Sequence, residues 1–233
     1  MYAKCFKRII DFLLSLMALI ILSPVLIILM IVGAITMKGN PFFCQPRPGK
    51  KAKNGKERIF YLVKLRTMSN ARGADGELLP DEQRLGKYGR WLRSTSADEL
   101  PSLLNILKGD LSIVGPRPQL VRDMTFMSNA QRRRHDIRPG LTGLAQVNGR
   151  NNITWEQKFE YDIKYIDSGI TFLKDIKIIF QTVGKVLKRS DTVREGTVSD
   201  MDFGVWLLKE GKITQDEYEL RQKEAREVLE AIK

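Results

Sequence analysis

Asp98 and Glu99 are adjacent carboxylates in the run Arg93-Ser94-Thr95-Ser96-Ala97-Asp98-Glu99-Leu100-Pro101. Pro101 suits the first turn of a helix and biases Leu100 away from helical geometry, so the two acids stand where a helix begins. Free N–H groups and the helix dipole favour anions at such a place. The same letters have a plain structural use, because Ser96-x-x-Glu99 is the spacing of a capping box.

What argues for chemistry is the company of cations. Lys64, Arg66, Arg90, Arg93, Arg117, Arg138 and Arg150 all fall at turns or loop edges. Arg117 is held between Pro116 and Pro118, so a stiff backbone presents a planar fork suited to phosphate. Arg138 to Arg150 brackets a glycine-rich loop whose backbone N–H groups can approach an anion closely. No Gly-Lys-Ser/Thr follows, which excludes a Walker A loop, and no Gly-x-Ser-x-Gly nucleophile motif is present. Two cysteines, Cys5 and Cys44, cannot make a four-cysteine zinc site. His135, the single histidine, closes Arg132-Arg133-Arg134-His135, which reads as a solvated or headgroup-facing helix end.

The elements that must hold these residues follow from patterning over 233 residues with a net charge of +12. Phe12 to Met37 carries no charge and would be about 39 Å long as a helix, against roughly 30 Å of bilayer hydrocarbon. Ser23-Pro24 lies at its middle, where proline removes a donor. Both flanks are basic, which a single crossing cannot place on one side. A helix broken at Ser23-Pro24 and re-entrant to the same face satisfies both flanks. Residues 39–195 hold 29 Lys and Arg against 17 Asp and Glu, so the positive surplus belongs to them, while 196–233 is net acidic. The middle segment begins as a strand pair, Pro41–Arg47 with Arg58–Arg66. Helices are expected at Leu85–Ser94, Leu100–Lys108, Gln119–His135, from the Thr154-x-x-Gln157 cap, and within Asp167–Lys188. The predicted organisation is therefore 1–38 membrane helix, 39–195 catalytic domain and 196–233 helical hairpin. The fold class is α+β, mainly helical, with a small β-hairpin and interfacial helices around a carboxylate and arginine site. Basic residues scattered among glycines and prolines disfavour nucleic acid as the partner.

In chain order, Lys64-Leu65-Arg66-Thr67-Met68, Arg93 through Asp98-Glu99-Leu100-Pro101, Asn105-x-Leu107-Lys108-Gly109-Asp110-x-Ser112, Gly115-Pro116-Arg117-Pro118 and Arg138-Pro139-Gly140-x-Thr142-Gly143 through Arg150 resemble the bacterial sugar transferase family. These are the monotopic polyprenyl-phosphate phosphoglycosyl transferases, and the resemblance is nearest to the small members that start glycoprotein or surface-glycan assembly. It covers roughly residues 1–190 and includes the apolar run with Ser23-Pro24, which resembles the family's re-entrant membrane helix.

The resemblance implies that a UDP-sugar gives its phosphosugar to undecaprenyl phosphate, releasing UMP. It makes Asp98 the nucleophile of an acyl-phosphate intermediate, places Mg2+ at Asp98 and Glu99, and sets the domain on the cytoplasmic face of a bacterial inner membrane, among membrane lipids. The acceptor phosphate is already anionic, so a carboxylate here serves better as nucleophile or metal ligand than as base. Direct attack by the lipid phosphate is the rival route. Lys64, Arg93, Arg117 and Arg150 are the candidates for neutralising phosphate. A non-enzymatic membrane-anchored module that binds anionic lipid or recruits glycan-assembly enzymes is the competing class. The tail reads as a short helix (Met201–Lys209), a turn at Gly211 and a longer amphipathic helix (Thr214–Ile232), for self-association, a protein partner or packing on the domain.

Overall fold

The computed structural model describes residues 2–149, 152–188 and 201–232. Arg150 and the expected boundary at 195/196 lie outside them. After one wide turn, Tyr2–Phe6, the chain enters a single helix, α1 (Lys7–Met37), about 46 Å long. It stays helical through Ser23 and Pro24, where the sequence suggests a break. Pro24 has no N–H for the carbonyl of Ile20, and the Ser23 hydroxyl donates to that oxygen instead, at 2.8 Å. One stripe of α1 is buried (Lys7, Asp11, Ser15, Leu29, Gly33, Met37) and the opposite face exposes Ile, Leu and Val along its length. The helix is long and apolar enough to cross a membrane.

Both ends of α1 are fastened to the rest of the protein. Near its start, Lys7 pairs with Asp175 at 2.5 Å, Arg8 donates to the carbonyls of Ile106 and Leu107, and Asp11 accepts from the Ser112 hydroxyl. Near its end, Tyr88 donates to the Leu29 carbonyl at 2.7 Å. A Cβ on Gly33 would come within 3.0 Å of the Tyr88 oxygen, so glycine permits this close contact.

The hairpin pairs β1 (Phe42–Lys51) antiparallel with β2 (Glu57–Leu65), Phe42 opposite Leu65. Two short helices follow, α2 (Asp81–Arg84) and α3 (Lys87–Thr95), then a 3-10 turn, Ala97–Ser102, and α4 (Leu103–Lys108). A second, parallel pair joins β3 (Ser112–Val114) to β4 (Gly140–Thr142) and was not legible in the sequence. Between those strands the expected single helix over Gln119–His135 is divided into α5 (Val121–Met124), α6 (Asn129–Arg132) and a 3-10 turn, Arg133–Asp136. Ser128 starts α6 with a capping box to Gln131, which is why the helix restarts there. The remainder is α7 (Leu144–Val147), α8 (Trp155–Asp167) capped by Thr154 and Gln157 as the spacing predicts, α9 (Phe172–Lys188), α10 (Phe203–Lys209) and α11 (Gln215–Glu230). The architecture is mainly helical with two small sheets.

Four apolar clusters hold it together. Phe60, Leu62, Leu103, Ile106 and Leu111 pack under the middle of α1, and Leu29 in its second half packs with Leu65 and Leu92. Val114, Val147, Tyr165 and Ile178 join the parallel strands to α8 and α9. Met127, Trp155, Phe159 and Phe203 seat α10 on α8, so the tail packs back on the domain. Trp155 and Tyr165 are thus core residues, whereas Trp91 is exposed.

Candidate functional site

Lys64 leaves β2 toward the 3-10 turn that carries Asp98 and Glu99. Strand and turn are stitched by side chains that serve backbone groups. Asn105 accepts from the Val63 N–H at 3.0 Å and donates to the Tyr61 carbonyl at 2.8 Å, and the Ser102 hydroxyl donates to the Val63 carbonyl at 2.8 Å. Ser102 and Asn105 are buried, so these bonds replace water that the backbone would otherwise need. Ser96 takes the left-handed conformation at φ 56° and makes no side-chain cap bond, so the capping-box use of Ser96-x-x-Glu99 is not what the chain adopts. Pro101 lies inside the 3-10 turn, consistent with a helix entrance that cannot be an ordinary α-helix.

Glu99 is drawn instead to two cations. One oxygen, Oε1, accepts from Lys64 Nζ at 2.7 Å and from Arg117 Nη2 at 2.7 Å. Those cations hold the Glu99 carboxyl far below the usual carboxylate range despite its burial, whereas burial, reinforced by Glu99, raises Asp98. Of the two neighbours Glu99 is therefore the stronger acid and Asp98 the weaker. Burial lowers Lys64, with Glu99 opposing that shift.

Arg117 is aimed by a loop built on close backbone contact. The Gly115 N–H donates to the Thr142 carbonyl and the Gly140 N–H to the Pro116 carbonyl, each at 2.9 Å. A Cβ on Gly140 would meet the Gly115 nitrogen at 2.1 Å, so no other residue fits there. Behind the loop, Arg134 donates to the Arg117 carbonyl at 2.6 Å and pairs with Asp162 at 2.6 Å, both side chains fully buried. Arg93 approaches from the other side: it donates to the Thr67 hydroxyl at 3.1 Å and to the Met68 sulfur at 3.0 Å, and feels the charge of Asp98.

The open cleft, about 290 Å³, is lined by Arg47, Lys64, Glu99 and Arg117 together with Leu62, Leu111 and Leu141. Of the residues singled out in the sequence, Lys64, Glu99 and Arg117 are in direct contact, and Arg93 and Asp98 adjoin them. Arg150 lies outside the described residues, and Ser23 and Pro24 lie on α1. The arginine run needs correction. Arg134 and His135 are buried, and Arg132 makes a bidentate pair with Glu57 at 2.9 and 2.7 Å, because the buried acids Asp162 and Glu57 wait beneath that turn. Arg47 was missed, although Pro46-Arg47-Pro48 repeats the flanking of Arg117.

Among the described residues no group of three or more His, Cys, Asp or Glu gathers. A cation here would have two adjacent carboxylates and whatever oxygens a substrate brings. The arrangement sets two adjacent carboxylates beside a cleft lined by cations and leucines, an environment suited to binding a phosphate group that carries an apolar part.

Comparison with known proteins agrees with that chemistry. The family model described as "Bacterial sugar transferase" matches residues 2–189. An uncharacterized sugar transferase of Bacillus subtilis, EpsL, is 52% identical over 163 residues, 69% of this chain and 78% of that protein. A UDP-glucose:undecaprenyl-phosphate glucose-1-phosphate transferase of Klebsiella pneumoniae is 38% identical over 190 residues, 77% of this chain and 40% of that protein. An undecaprenyl-phosphate galactose phosphotransferase of Salmonella typhimurium is 33% identical over 200 residues, 80% of this chain and 41% of that protein. The chain thus spans about two fifths of the length of the last two.

Proposed function

The chain belongs to the bacterial sugar transferase family, and we propose that it transfers a phosphosugar from a UDP-sugar to undecaprenyl phosphate, releasing UMP. The observation that carries this reading is the clamp of Lys64 and Arg117 on Glu99 beside Asp98, in a cleft with more cations than acids. Lys64, Arg93 and Arg117 neutralise the diphosphate and hold the donor. An Asp98 oxygen then attacks the phosphorus that bears the sugar. The bond from that phosphorus to the bridging oxygen breaks, UMP leaves with the electron pair, and an acyl-phosphate remains on Asp98. An oxygen of undecaprenyl phosphate attacks the same phosphorus and returns the carboxylate.

Mg2+ fits the donor set, since it takes one or two carboxylates and keeps positions for phosphate oxygens and water. Asp98 would hold it, with Glu99 contributing Oε2, because Oε1 already serves two cations. When bound, the ion would supply further positive charge at the phosphate oxygens. Arg150 belongs to the same proposed set of phosphate-binding residues.

Membrane placement follows from α1 and α9. Both ends of α1 dock on the domain that holds Asp98, which supports insertion with both ends on that domain's side, proposed as the cytoplasmic face of the inner membrane. On α9, Phe172, Leu173, Phe180, Val183 and Leu187 are exposed, and Lys174, Lys177, Lys185 and Lys188 interleave with them. Tyr2 stacks edge-on against Phe172, so this apolar stripe continues from the foot of α1, as an interfacial helix requires.

Two measurements test the reading. Full-length protein with labelled UDP-sugar and no lipid is expected to carry phosphosugar on Asp98 after a rapid quench; absence of an adduct during turnover would favour direct attack. UMP release across a panel of UDP-sugars with undecaprenyl phosphate identifies the donor, and silence across the panel would leave the non-enzymatic anchor as the better account.

A further inference from the structure

Arg47 stands in the same cleft and has no part in the reaction above. It lies on β1 between Pro46 and Pro48, as Arg117 lies between Pro116 and Pro118. Proline after each arginine biases its backbone to extended geometry, and proline before it removes a soft dihedral, so both forks leave stiff supports. The two supports touch: Arg47 Nη1 donates to the Pro118 carbonyl at 3.0 Å. Nη2 donates to Gln45 Oε1 at 2.6 Å, and Nε is sealed from solvent with no hydrogen-bond partner among the described residues.

Charge is what sets Arg47 apart from its neighbours. Lys64 and Arg117 share Glu99, whereas Arg47 is bonded only to a carbonyl and an amide among the described residues. Asp123 and Glu99 act on it only through space, and a part-buried guanidinium with no carboxylate in direct contact has donors to offer an anion. Burial, helped by the neighbouring Arg117 charge, lowers Arg47 to about 10, which still leaves it protonated at neutral pH.

We infer that Arg47 is a further anion-binding residue of this cleft, contributing the remaining N–H groups of its two Nη atoms to a diphosphate while Nη1 fixes the Arg117 loop through the Pro118 carbonyl. The identity of that diphosphate as a nucleotide-sugar donor rests on the proposed function; the anion site itself does not.

The test uses detergent-solubilised full-length protein, with inorganic pyrophosphate as the calorimetric probe and donor KM from UMP release. Arg47→Met is expected to weaken pyrophosphate binding about 10- to 100-fold, the range for losing hydrogen bonds to a charged group. Its affinity should also depend less steeply on salt, a readout that a purely structural role would leave unmoved. Arg47→Lys keeps the charge and loses the fork, so it should bind pyrophosphate several-fold more weakly than the wild type but better than Arg47→Met. Unchanged affinity in a variant that melts normally overturns the inference, as does a wild type that does not bind pyrophosphate. Should Arg47→Met fail to fold, Arg47→Lys decides alone by the same criterion. Arg47-dependent pyrophosphate binding without turnover on any UDP-sugar would break the proposed function and leave this anion site standing.

Discussion

Glu99 and Asp175 are built from similar parts and do different things. Each is a carboxylate that gathers donors from distant segments. Asp175 accepts from Tyr2 at 2.8 Å, from Lys7 at 2.5 Å and from Tyr165 at 2.5 Å, using both oxygens, and is sealed from solvent. One cation balances it, and two phenols complete the shell. Glu99 receives two cations on a single oxygen, with Arg47 and Arg93 nearby and Arg117 nearly half exposed. The Asp175 cluster is closed in both charge and hydrogen bonding, so it can only hold α1 to α8 and α9. The Glu99 cluster is open and over-supplied with positive charge, which is the condition for receiving an anion. Balance and exposure, more than the residue types, separate an anchor from a reactive site.

The sharpest way to break this comparison is at Asp98. Asp98→Asn is isosteric and removes the proposed nucleophile, so turnover is expected to fall about 10⁴-fold or more, as for removal of a covalent catalyst. Melting temperature and sedimentation with membranes should match the wild type. Turnover within tenfold of the wild type would remove Asp98 from the chemistry.

At the anchor the expected signs reverse. Asp175→Asn leaves Lys7 buried without its partner, and loss of one member of a buried pair costs about 3–5 kcal/mol. Denaturant unfolding in detergent should show that loss, while the rate per folded molecule stays as before. A large fall in rate without a fall in stability would place Asp175 in the working site and erase the distinction.

A third buried group gives a pH-dependent version of the same lesson. His135 is enclosed, its Nδ1 lies 3.2 Å from Glu57, and burial lowers it from 6.5 to about 4. The unfolded chain binds this proton below about 6.5 while the folded chain does not, so stability falls as pH drops from there and levels off near 4. The size is about 3 kcal/mol. Glu57, held at about 2 by His135 and Arg132 despite its burial, keeps its own contribution above 4.5 and loses it as pH falls toward 2. Thermal melts from neutral to mildly acid pH should show the first loss, and His135→Asn should flatten it.

How much of this was legible beforehand depended on sequence distance. The hairpin, the Thr154 cap and the tail helices are local patterns, and they appear within a few residues of where the pattern put them. Arg117 and Glu99 were legible because prolines flank the first and Pro101 lies two residues from the second, whereas Lys64 stands near the end of β2 between Val63 and Leu65 and was legible as part of Lys64-Leu65-Arg66-Thr67-Met68. The Asp175 cluster was not, because Tyr2 and Lys7 lie 173 and 168 residues from their partner and no local signal links them. Arg134 was misread because an arginine run looks solvated unless the buried Asp162, 28 residues on, is known to face it. Pro24 misled in the opposite sense: the Ser23 hydroxyl supplies the missing bond, a compensation that only geometry reveals.

The smallest effect is expected where exposure is greatest, and it tests the comparison most directly. Arg133 and Asp167 form an ion pair between the 3-10 turn after α6 and the end of α8, with side chains 47% and 51% exposed. Its charges match those of Lys7 and Asp175, and its contact is as close. Solvent screens it, and two long side chains lose freedom in making it, so Asp167→Asn should shift stability by no more than about 0.5 kcal/mol. Any shift should shrink further at high salt. A loss approaching that of Asp175→Asn would mean that proximity of opposite charges is itself what holds this protein together. Burial would then cease to be the variable that divides its charged clusters, and the surplus of cations around Glu99 would lose its meaning as the mark of an anion-binding cleft.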